Sequence, residues 1–334
     1  MRFGLVGTNF ITDRLMCAGK MIPDFEAVAV GSRSEETGRA FADKYGIEHV
    51  FTDFEAMAKS GLLDAVYIAT PNYCHAKIAN IFLKEGVNVF CEKPFAANAK
   101  EVESMIENSE KSGAFLMEAI KNIYMPAFEA IKAEFPRIGQ IRRAILSMNR
   151  FSSRYDLYLE GKNPNTFRKD LANGAIMDMG VYNIQLAVAL FGSPKKITAT
   201  GVLLEDGKGV DGVCTVILTY DGFECVCMTS KVNTSHLHCE IGGEQGSVTF
   251  TMSSELEKLK GWDNKGNSWD IEVDGKELEA NLYYELVRFI EHMKNPDPAF
   301  AEKVVWQERE VIRILDEARR QIGLVFDNDL QEMF

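Results

Sequence analysis

The stretch "GLVGTNFITDRL", Gly4 to Leu15, decides the fold of the first part of the chain. A strand pattern, "RFGLVG", runs into a turn and then into residues that can begin a helix. The dinucleotide fingerprint G-x-G-x-x-G would place glycines at positions 7, 9 and 12 of this turn. The chain has Gly7, Asn9 and Thr12 there. Two interpretations are therefore open: a phosphate-binding turn, or a plain strand–turn–helix without a ligand.

The polar residues of the turn suit an anion. Asn9 tolerates left-handed backbone angles, and its amide group can donate a hydrogen bond to a phosphate. Thr12 offers a hydroxyl in the first helical turn, where backbone N–H groups and the helix dipole favour negative charge. The candidate pyrophosphate contacts are the residues of this turn: Gly7, Thr8, Asn9, Phe10 and Ile11.

Outward from the turn, residues 1–121 alternate strand and helix patterns. The predicted helices span Glu35 to Tyr45, Ala76 to Glu85 and Ala99 to Ser112. The alternation predicts an α/β domain with a doubly wound parallel sheet, the Rossmann arrangement. The predicted strands are "RFGLVG", "EAVAVGS", "AVYIAT", "NVFCEK" and "FLMEAI".

The pattern changes near residue 121, and residues 122–334 predict an α+β domain. A strand, "IRRAILSMNRF", precedes a polar loop at 155–173, and "GAIMDMGVYNIQLAVALFG" predicts a buried helix. Two helices, "LYYELVRFIEHMK" and "WQEREVIRILDEARRQIG", close the chain. From Lys196 to Ile271 strand patterns dominate and predict an open, mostly antiparallel meander: "KITATGVLL", "GVCTVILTY", "FECVCMTSKV", "HCEIGGEQGSVTF", "LEKLKGW" and "SWDIEVD".

Composition limits the partners. The 334 residues are 46% hydrophobic and 26% charged, as in ordinary globular proteins, and the net charge is −12. That charge disfavours nucleic acid and anionic membrane surfaces. No apolar run approaches about 20 residues, and the N-terminus lacks a signal-peptide pattern. Seven scattered cysteines suggest free thiols and a cytoplasmic location.

Two further strand ends carry polar motifs. "VGSRS" ends the second strand with Ser32 and Arg33 and without a carboxylate, which favours the 2′-phosphate of NADP(H). Arginine can also stack on adenine, so NAD(H) stays open. "IATPNYCH" places Thr70, Pro71, Asn72 and His75 after another strand. His75 has two interpretations: a structural packing histidine or a site residue.

"CEKPFA" is the most specific short motif. Glu92 and Lys93 follow the buried-looking strand "VNVF", so the lysine emerges at the carboxyl edge of the sheet, where it can reach a nicotinamide or a substrate hydroxyl. Desolvation or a neighbouring cation would lower its pKa towards acid–base work. The alternative is a surface Glu–Lys pair.

In this order, "GTNFIT", "SRS", "ATPNYCH", "EKPFA", "EAI" and "GAIMDMGVY" resemble the glucose–fructose oxidoreductase/inositol dehydrogenase/rhizopine-catabolism (Gfo/Idh/MocA) family, over nearly the whole chain. The Ser-Arg tip and Tyr182 are most similar to its dimeric dihydrodiol dehydrogenase and NADP-using sugar dehydrogenase branch. The resemblance implies that Lys93 contacts nicotinamide and substrate, that Asp178 matches the aspartate of the second-domain helix, and that Tyr182 takes the acid–base position. It also implies that Arg168 contributes from the preceding loop, which we assign to cofactor binding.

The expectation is an NADP(H)-dependent oxidoreductase, with NAD possible, that acts on a CH–OH group of a sugar, polyol or trans-dihydrodiol. A homodimer through the second-domain sheet is expected, because an open sheet face usually finds a partner. No metal site is expected, because "HLHC" at 236–239 lacks further ligands at zinc spacing. Two alternatives stay open: a catalytically silent dinucleotide- or ligand-sensing regulator, and glycoside hydrolysis through transient oxidation.

Overall fold

β-Branched and aromatic runs form a parallel sheet in the first part of the chain. In this computed structural model, which describes residues 1–273, 275 and 282–330, the six strands have the order β3-β2-β1-β4-β5-β6. All neighbouring strands are parallel, which confirms the predicted Rossmann sheet. Their bounds are β1 (Arg2–Val6), β2 (Glu26–Gly31), β3 (His49–Phe51), β4 (Ala65–Ile68), β5 (Asn88–Glu92) and β6 (Leu116–Ala119).

Side-chain caps begin most helices of this region. Asn9, Ser34, Asp53 and Asn98 each accept a hydrogen bond from a backbone N–H in the first turn of the helix that follows. Such caps satisfy donors that have no partner within the helix. The helices are α1 (Phe10–Gly19), α2 (Glu35–Tyr45), α3 (Phe54–Ala58), α4 (His75–Lys84) and α5 (Ala99–Ser112).

The second sheet has eight strands in the order β14-β13-β12-β11-β7-β10-β9-β8. The sheet is mostly antiparallel, as predicted, and the meander holds for β8-β9-β10 and for β11 to β14. β7 lies between these two runs and pairs in parallel with β10. The strands are β7 (Ile141–Asn149), β8 (Lys196–Leu203), β9 (Asp211–Tyr220), β10 (Phe223–Ser230), β11 (Cys239–Gly243), β12 (Gly246–Phe250), β13 (Lys260–Asp263) and β14 (Ser268–Asp270).

Several bounds differ from the prediction. The polar loop at 155–173 contains a short helix, and the predicted strand "SWDIEVD" stops at Asp270, its last residue Asp274 lying outside the described residues. His236 and His238 precede β11. The remaining helices are α6 (Pro126–Ala133), α7 (Phe135–Ile138), α8 (Tyr155–Leu159), α9 (Val181–Phe191), α10 (Leu204–Gly207), α11 (Tyr283–Lys294), α12 (Pro298–Ile322) and α13 (Asp327–Leu330).

The predicted buried helix begins with a π-helical turn, Ile176–Gly180, and continues as α9. From Leu171 to Val188 every residue is buried except Asp178 and Tyr182. By length and composition the helical segment Lys169–Phe191 could cross a membrane, but 72% of its most apolar window is buried inside the protein. A core helix passes the same test, so the segment is weak evidence for a membrane span.

The described chain divides into two compact units. Among the described residues, the first contains 1–121 and 282–309, and the second contains 122–273, 275 and 310–330. This differs from the predicted division at residue 121, which assigns all later residues to the second domain. Within the first unit, Phe289 of α11 packs against the rings of Phe3, Phe90 and Phe115, with centroids 5.1–6.0 Å apart. These apolar contacts explain why α11 belongs with the parallel sheet.

Candidate functional site

The turn after β1 requires its glycine. Gly7 has φ +106°, and a Cβ there would overlap the carbonyl oxygen of Ala69, which follows β4. The Gly7 N–H donates to the carbonyl of Gly31 at the end of β2, at 3.1 Å. The turn therefore lies at the point where the strand order changes direction, which is where open α/β sheets bind their ligands.

Asn9 and Thr12 have structural partners inside this turn. The Asn9 carbonyl oxygen accepts from the Ile11 N–H at 2.9 Å, and its amide nitrogen donates to the Ala69 carbonyl at 2.7 Å. The hydroxyl of Thr12 is buried and donates to the Gly7 carbonyl at 3.0 Å. Both side chains therefore donate a hydrogen bond inside the turn, and their predicted contacts with a phosphate stay a prediction. Phe10 is 68% exposed beside them.

At the end of β2, Ser32 and Arg33 have different roles. Ser32 is buried, and its hydroxyl lies 2.7 Å from that of Thr37 in α2. Arg33 is exposed, and within the described part of the chain it makes neither a hydrogen bond nor an ion pair. Its guanidinium is thus a cation at the carboxyl edge of the sheet that no acidic side chain neutralises.

His75 joins the loops that follow β4 and β5. The ring is buried at the start of α4, and its nitrogens lie 2.9 Å from the carbonyl oxygens of Thr70 and Pro94. Burial lowers the pKa of this imidazole. Pro71 and Asn72 lie in the same loop as Thr70. The contacts support the structural interpretation of His75, which fixes the loop that carries Lys93.

The side chain of Glu92 holds the backbone of Lys93. Its carboxylate is buried, accepts from the Tyr67 hydroxyl at 2.6 Å and accepts from the backbone N–H of Lys93 at 3.2 Å. Burial raises the pKa of Glu92. Burial also raises the pKa of Glu285 in α11, and the charge of Glu92 adds to that effect. Lys93 itself stays partly accessible. The surface Glu–Lys pair is therefore the wrong interpretation for Glu92.

In the second unit, Asp178 and Tyr182 are the two partly accessible residues between Leu171 and Val188. The Asp178 carboxylate accepts from the Nζ of Lys231 at 2.9 Å. The Asp178 side chain is 29% exposed and the Lys231 side chain 1%. The sequence did not predict Lys231, and the only signal was a lysine directly after the strand "FECVCMTS".

Buried polar groups hold this helical segment on the sheet. The Asn183 amide donates to the Met228 carbonyl and the Thr229 hydroxyl at 3.1 and 3.0 Å. Asp211 accepts from the Ile176 N–H at 2.8 Å, and a Cβ at Gly174 would overlap its other carboxylate oxygen. Gly174 thus leaves room for a buried acid beneath the π-helical turn.

Arg168 lies in the loop before the helical segment. Its guanidinium makes a two-point ion pair with Asp170. Both residues line an open cleft of about 490 Å³ whose other walls include Tyr158, Phe167 and Lys208. Among the described residues no cluster of three or more His, Cys, Asp or Glu side chains could hold a metal ion.

A glycine turn at the switch point of a parallel sheet, with lysine and arginine at the same edge, defines a dinucleotide-binding Rossmann protein. Residues 1–120 match the family described as "Oxidoreductase family, NAD-binding Rossmann fold", and residues 134–249 match the "GFO/IDH/MocA C-terminal domain". The chain belongs to the Gfo/Idh/MocA oxidoreductase family, as its sequence motifs predicted.

Named relatives and a solved structure agree with this family assignment. The chain is 40% identical to scyllo-inositol 2-dehydrogenase (NADP(+)) IolU of Bacillus subtilis, over 98% of this chain and 99% of the relative. It is 30% identical to trans-1,2-dihydrobenzene-1,2-diol dehydrogenase of Mus musculus, over 98% and 99%. The 3-ketoreductase KijD10 of Actinomadura kijaniata, solved in complex with NADP, shares the fold with a TM-score of 0.79 at 19% identity, over 96% and 97%.

We predict that Asp211 makes stability depend on pH. Burial raises its pKa to about 6, whereas an unfolded aspartate titrates near 3.9. The folded protein therefore keeps this proton where the unfolded chain loses it. The resulting stabilisation is complete below about pH 4 and is lost as the pH rises through about 6. Asp211→Asn should remove this dependence, which amounts to about 2–3 kcal/mol.

Urea unfolding at pH 4.5, 5.5 and 7.0 measures this effect as the difference between the variant and the wild type. Asp221→Asn is the matched control, because Asp221 is exposed and paired with the exposed Lys195. A constant difference between Asp211→Asn and the wild type across these pH values would contradict the prediction.

Proposed function

We propose that this chain catalyses NADP(H)-dependent oxidoreduction of a hydroxyl-bearing ring carbon in a cyclic polyol or diol. The observation that carries the proposal is the placement of Lys93 at the carboxyl edge of the Rossmann sheet. Its loop is held by the buried Glu92 and His75. The relatives named above support the reaction class, since both are named as dehydrogenases of hydroxylated six-membered carbon rings.

The residues at the sheet edge fit the cofactor. The Gly7 turn brings the backbone and the positive end of the α1 dipole to the sheet edge where a pyrophosphate would bind, while Arg33 is placed to meet a ribose 2′-phosphate. NADP(H), when bound, supplies or accepts the hydride. The absence of an acidic residue at the tip of β2 supports the preference for NADP(H) over NAD(H).

The chain itself handles the proton and the orientation. In this proposal Tyr182 exchanges the proton of the substrate hydroxyl, and Lys93 is assigned to the nicotinamide of the cofactor. Because an unperturbed tyrosine titrates near pH 10, a neighbouring cation is needed for this work at neutral pH. Asp178 orients the substrate, and its charge is held by Lys231. We also assign Arg168 to cofactor binding.

The regulator alternative has less support. A sensing protein has no need for the lysine, aspartate and tyrosine of the proposed site, and the relatives of established name are dehydrogenases. The experiment that separates the two is a panel of sugars, inositols, other polyols and trans-diols, assayed with NADP and NAD. Turnover of a cyclic polyol or diol supports the proposal, and cofactor binding without any turnover contradicts it.

We further propose a homodimer that forms through the open face of the second sheet. Val226 of β10 lies opposite Ile217 and Ile145 on its two neighbouring strands, and all three are partly accessible. The alternate residues of the same strands, including Cys225 and Ala144, are buried. A continuous apolar row of this kind favours a partner surface.

A cytoplasmic location is proposed because all seven cysteines are free thiols.

We predict that Lys93→Met lowers kcat by two orders of magnitude or more, the size typical of a lost acid–base or polarising group. NADPH binding, followed by its fluorescence, should change little. Lys100→Met in the exposed first turn of α5 is the control and should keep wild-type activity. Near-wild-type turnover by Lys93→Met would remove Lys93 from the mechanism.

We predict that Arg33→Ala weakens NADP(H) about 10- to 100-fold, because charge-assisted hydrogen bonds to the phosphate are lost. NAD(H) should weaken less than about threefold, since it lacks that phosphate. Titration of both cofactors measures the ratio, with Arg39→Ala, exposed in α2, as the control. Equal losses for the two cofactors would mean that Arg33 only stacks on adenine.

We predict a dimeric mass in light scattering at micromolar concentration. Val226→Glu should give a folded monomer, because a charge would be buried without a partner in the apolar row. Leu237→Glu, at an exposed position outside the strands, is the control and should stay dimeric. A monomeric wild type would refute this assembly.

A further inference from the structure

Lys231 is a fully buried lysine of the second unit. It follows β10, and its backbone is fixed on both sides: its N–H donates to the Gly212 carbonyl at 3.0 Å, and its carbonyl accepts from the Ser152 N–H at 2.8 Å. Its side chain is 1% exposed. A lysine is almost never buried this fully unless it is paired.

The ammonium group has three different neighbours. Nζ donates to Asp178 Oδ2 at 2.9 Å and to the Thr166 carbonyl at 2.6 Å, and it lies 4.9 Å from the centre of the Phe167 ring. A buried acid, Asp211, also interacts with the charge of the ammonium group. Two acceptors and an aromatic face compensate a buried ammonium group much better than one surface carboxylate does.

These contacts connect two functional segments. Asp178 lies on the π-helical turn four residues before Tyr182, whereas Thr166 and Phe167 directly precede Arg168 in the loop. The segment from 165 to 167 is a short 3-10 turn with little regular structure of its own. The ammonium group therefore fixes the position of the loop relative to Asp178 within the second unit.

We propose that Lys231 is a positioning residue that holds the Asp178 carboxylate in one orientation and ties it to the loop at 166–168. The inference rests on the proposed function, because it assumes that Asp178 orients the substrate. Lys231 itself is too buried to touch the substrate, so it acts through Asp178. Arginine at this position would keep the charge, and methionine would keep the length and lose the charge.

The test compares Lys231→Met, Lys231→Arg, Asp178→Asn and the double variant Asp178→Asn/Lys231→Met in the full-length protein. Lys195→Met is the matched control, because Lys195 is an exposed lysine that is ion-paired with Asp221 in the same unit. For each protein we would measure circular dichroism, thermal unfolding, NADPH binding, and kcat and KM against pH for the best substrate of the panel.

We expect Lys231→Met to lower kcat/KM about 30- to 100-fold, the size of effect that a small misplacement of an orienting group produces. The kcat/KM of Lys231→Arg should be at least tenfold higher than that of Lys231→Met. The Lys231→Met change should cost less than threefold in the Asp178→Asn background, since the residue it positions is already altered. The control Lys195→Met should match the wild type in every one of these measurements.

Two results would overturn the inference: activity of Lys231→Met within threefold of wild type, or full additivity of the two changes in the double variant. If Lys231→Met does not fold, Lys231→Gln against Lys231→Arg replaces it, and equal activity of these two overturns the inference. Full activity of Asp178→Asn would instead refute the proposed role of Asp178. The proposed function and the role of Lys231 thus fail in distinguishable ways.

Discussion

The carbonyl group of Ala69 is the point on which the dinucleotide edge of the first unit depends. It follows β4, contacts Gly7 so closely that no side chain fits there, and accepts from the Asn9 amide. Asn9 in turn caps α1, so one backbone group sets the turn after β1 and the start of the helix. His75 extends this arrangement by joining the next two loops. The geometry of the cofactor edge therefore comes from hydrogen bonds within the first unit.

The local pattern was sufficient for much of this fold. α2 and α5 occur at their predicted bounds because each has a polar N-cap, an amphipathic stretch and a glycine after its last residue. β3 was missed, since three residues carry too little periodicity to distinguish a strand. The place of β7 between two runs of strands was also missed. Strand order depends on pairing over long sequence distances, which periodicity does not encode.

The candidate site, like the fold, could be predicted from the sequence only in part. Lys93, Asp178 and Tyr182 stand in recognisable motifs, and the structure leaves all three partly accessible. Thr12 has a hydroxyl of the kind that binds phosphate, but this hydroxyl donates inside the turn. Lys231 stands in no motif, and its proposed role follows from its contact with Asp178, 53 residues away in sequence. A sequence shows which residues can do chemistry, but the partners that orient them come from the tertiary structure.

The two units support their proposed catalytic residues in the same way, with a buried charged side chain holding a partly accessible residue. In the first, the buried Glu92 holds the backbone of the partly accessible Lys93; in the second, the buried Lys231 holds the carboxylate of the partly accessible Asp178. Burial makes each supporting charge expensive to leave unpaired, so its hydrogen bonds stay in place. The residue that it supports keeps access to solvent. Rigidity and reactivity are thereby assigned to different side chains, which is what orientation of a substrate at a fixed distance requires.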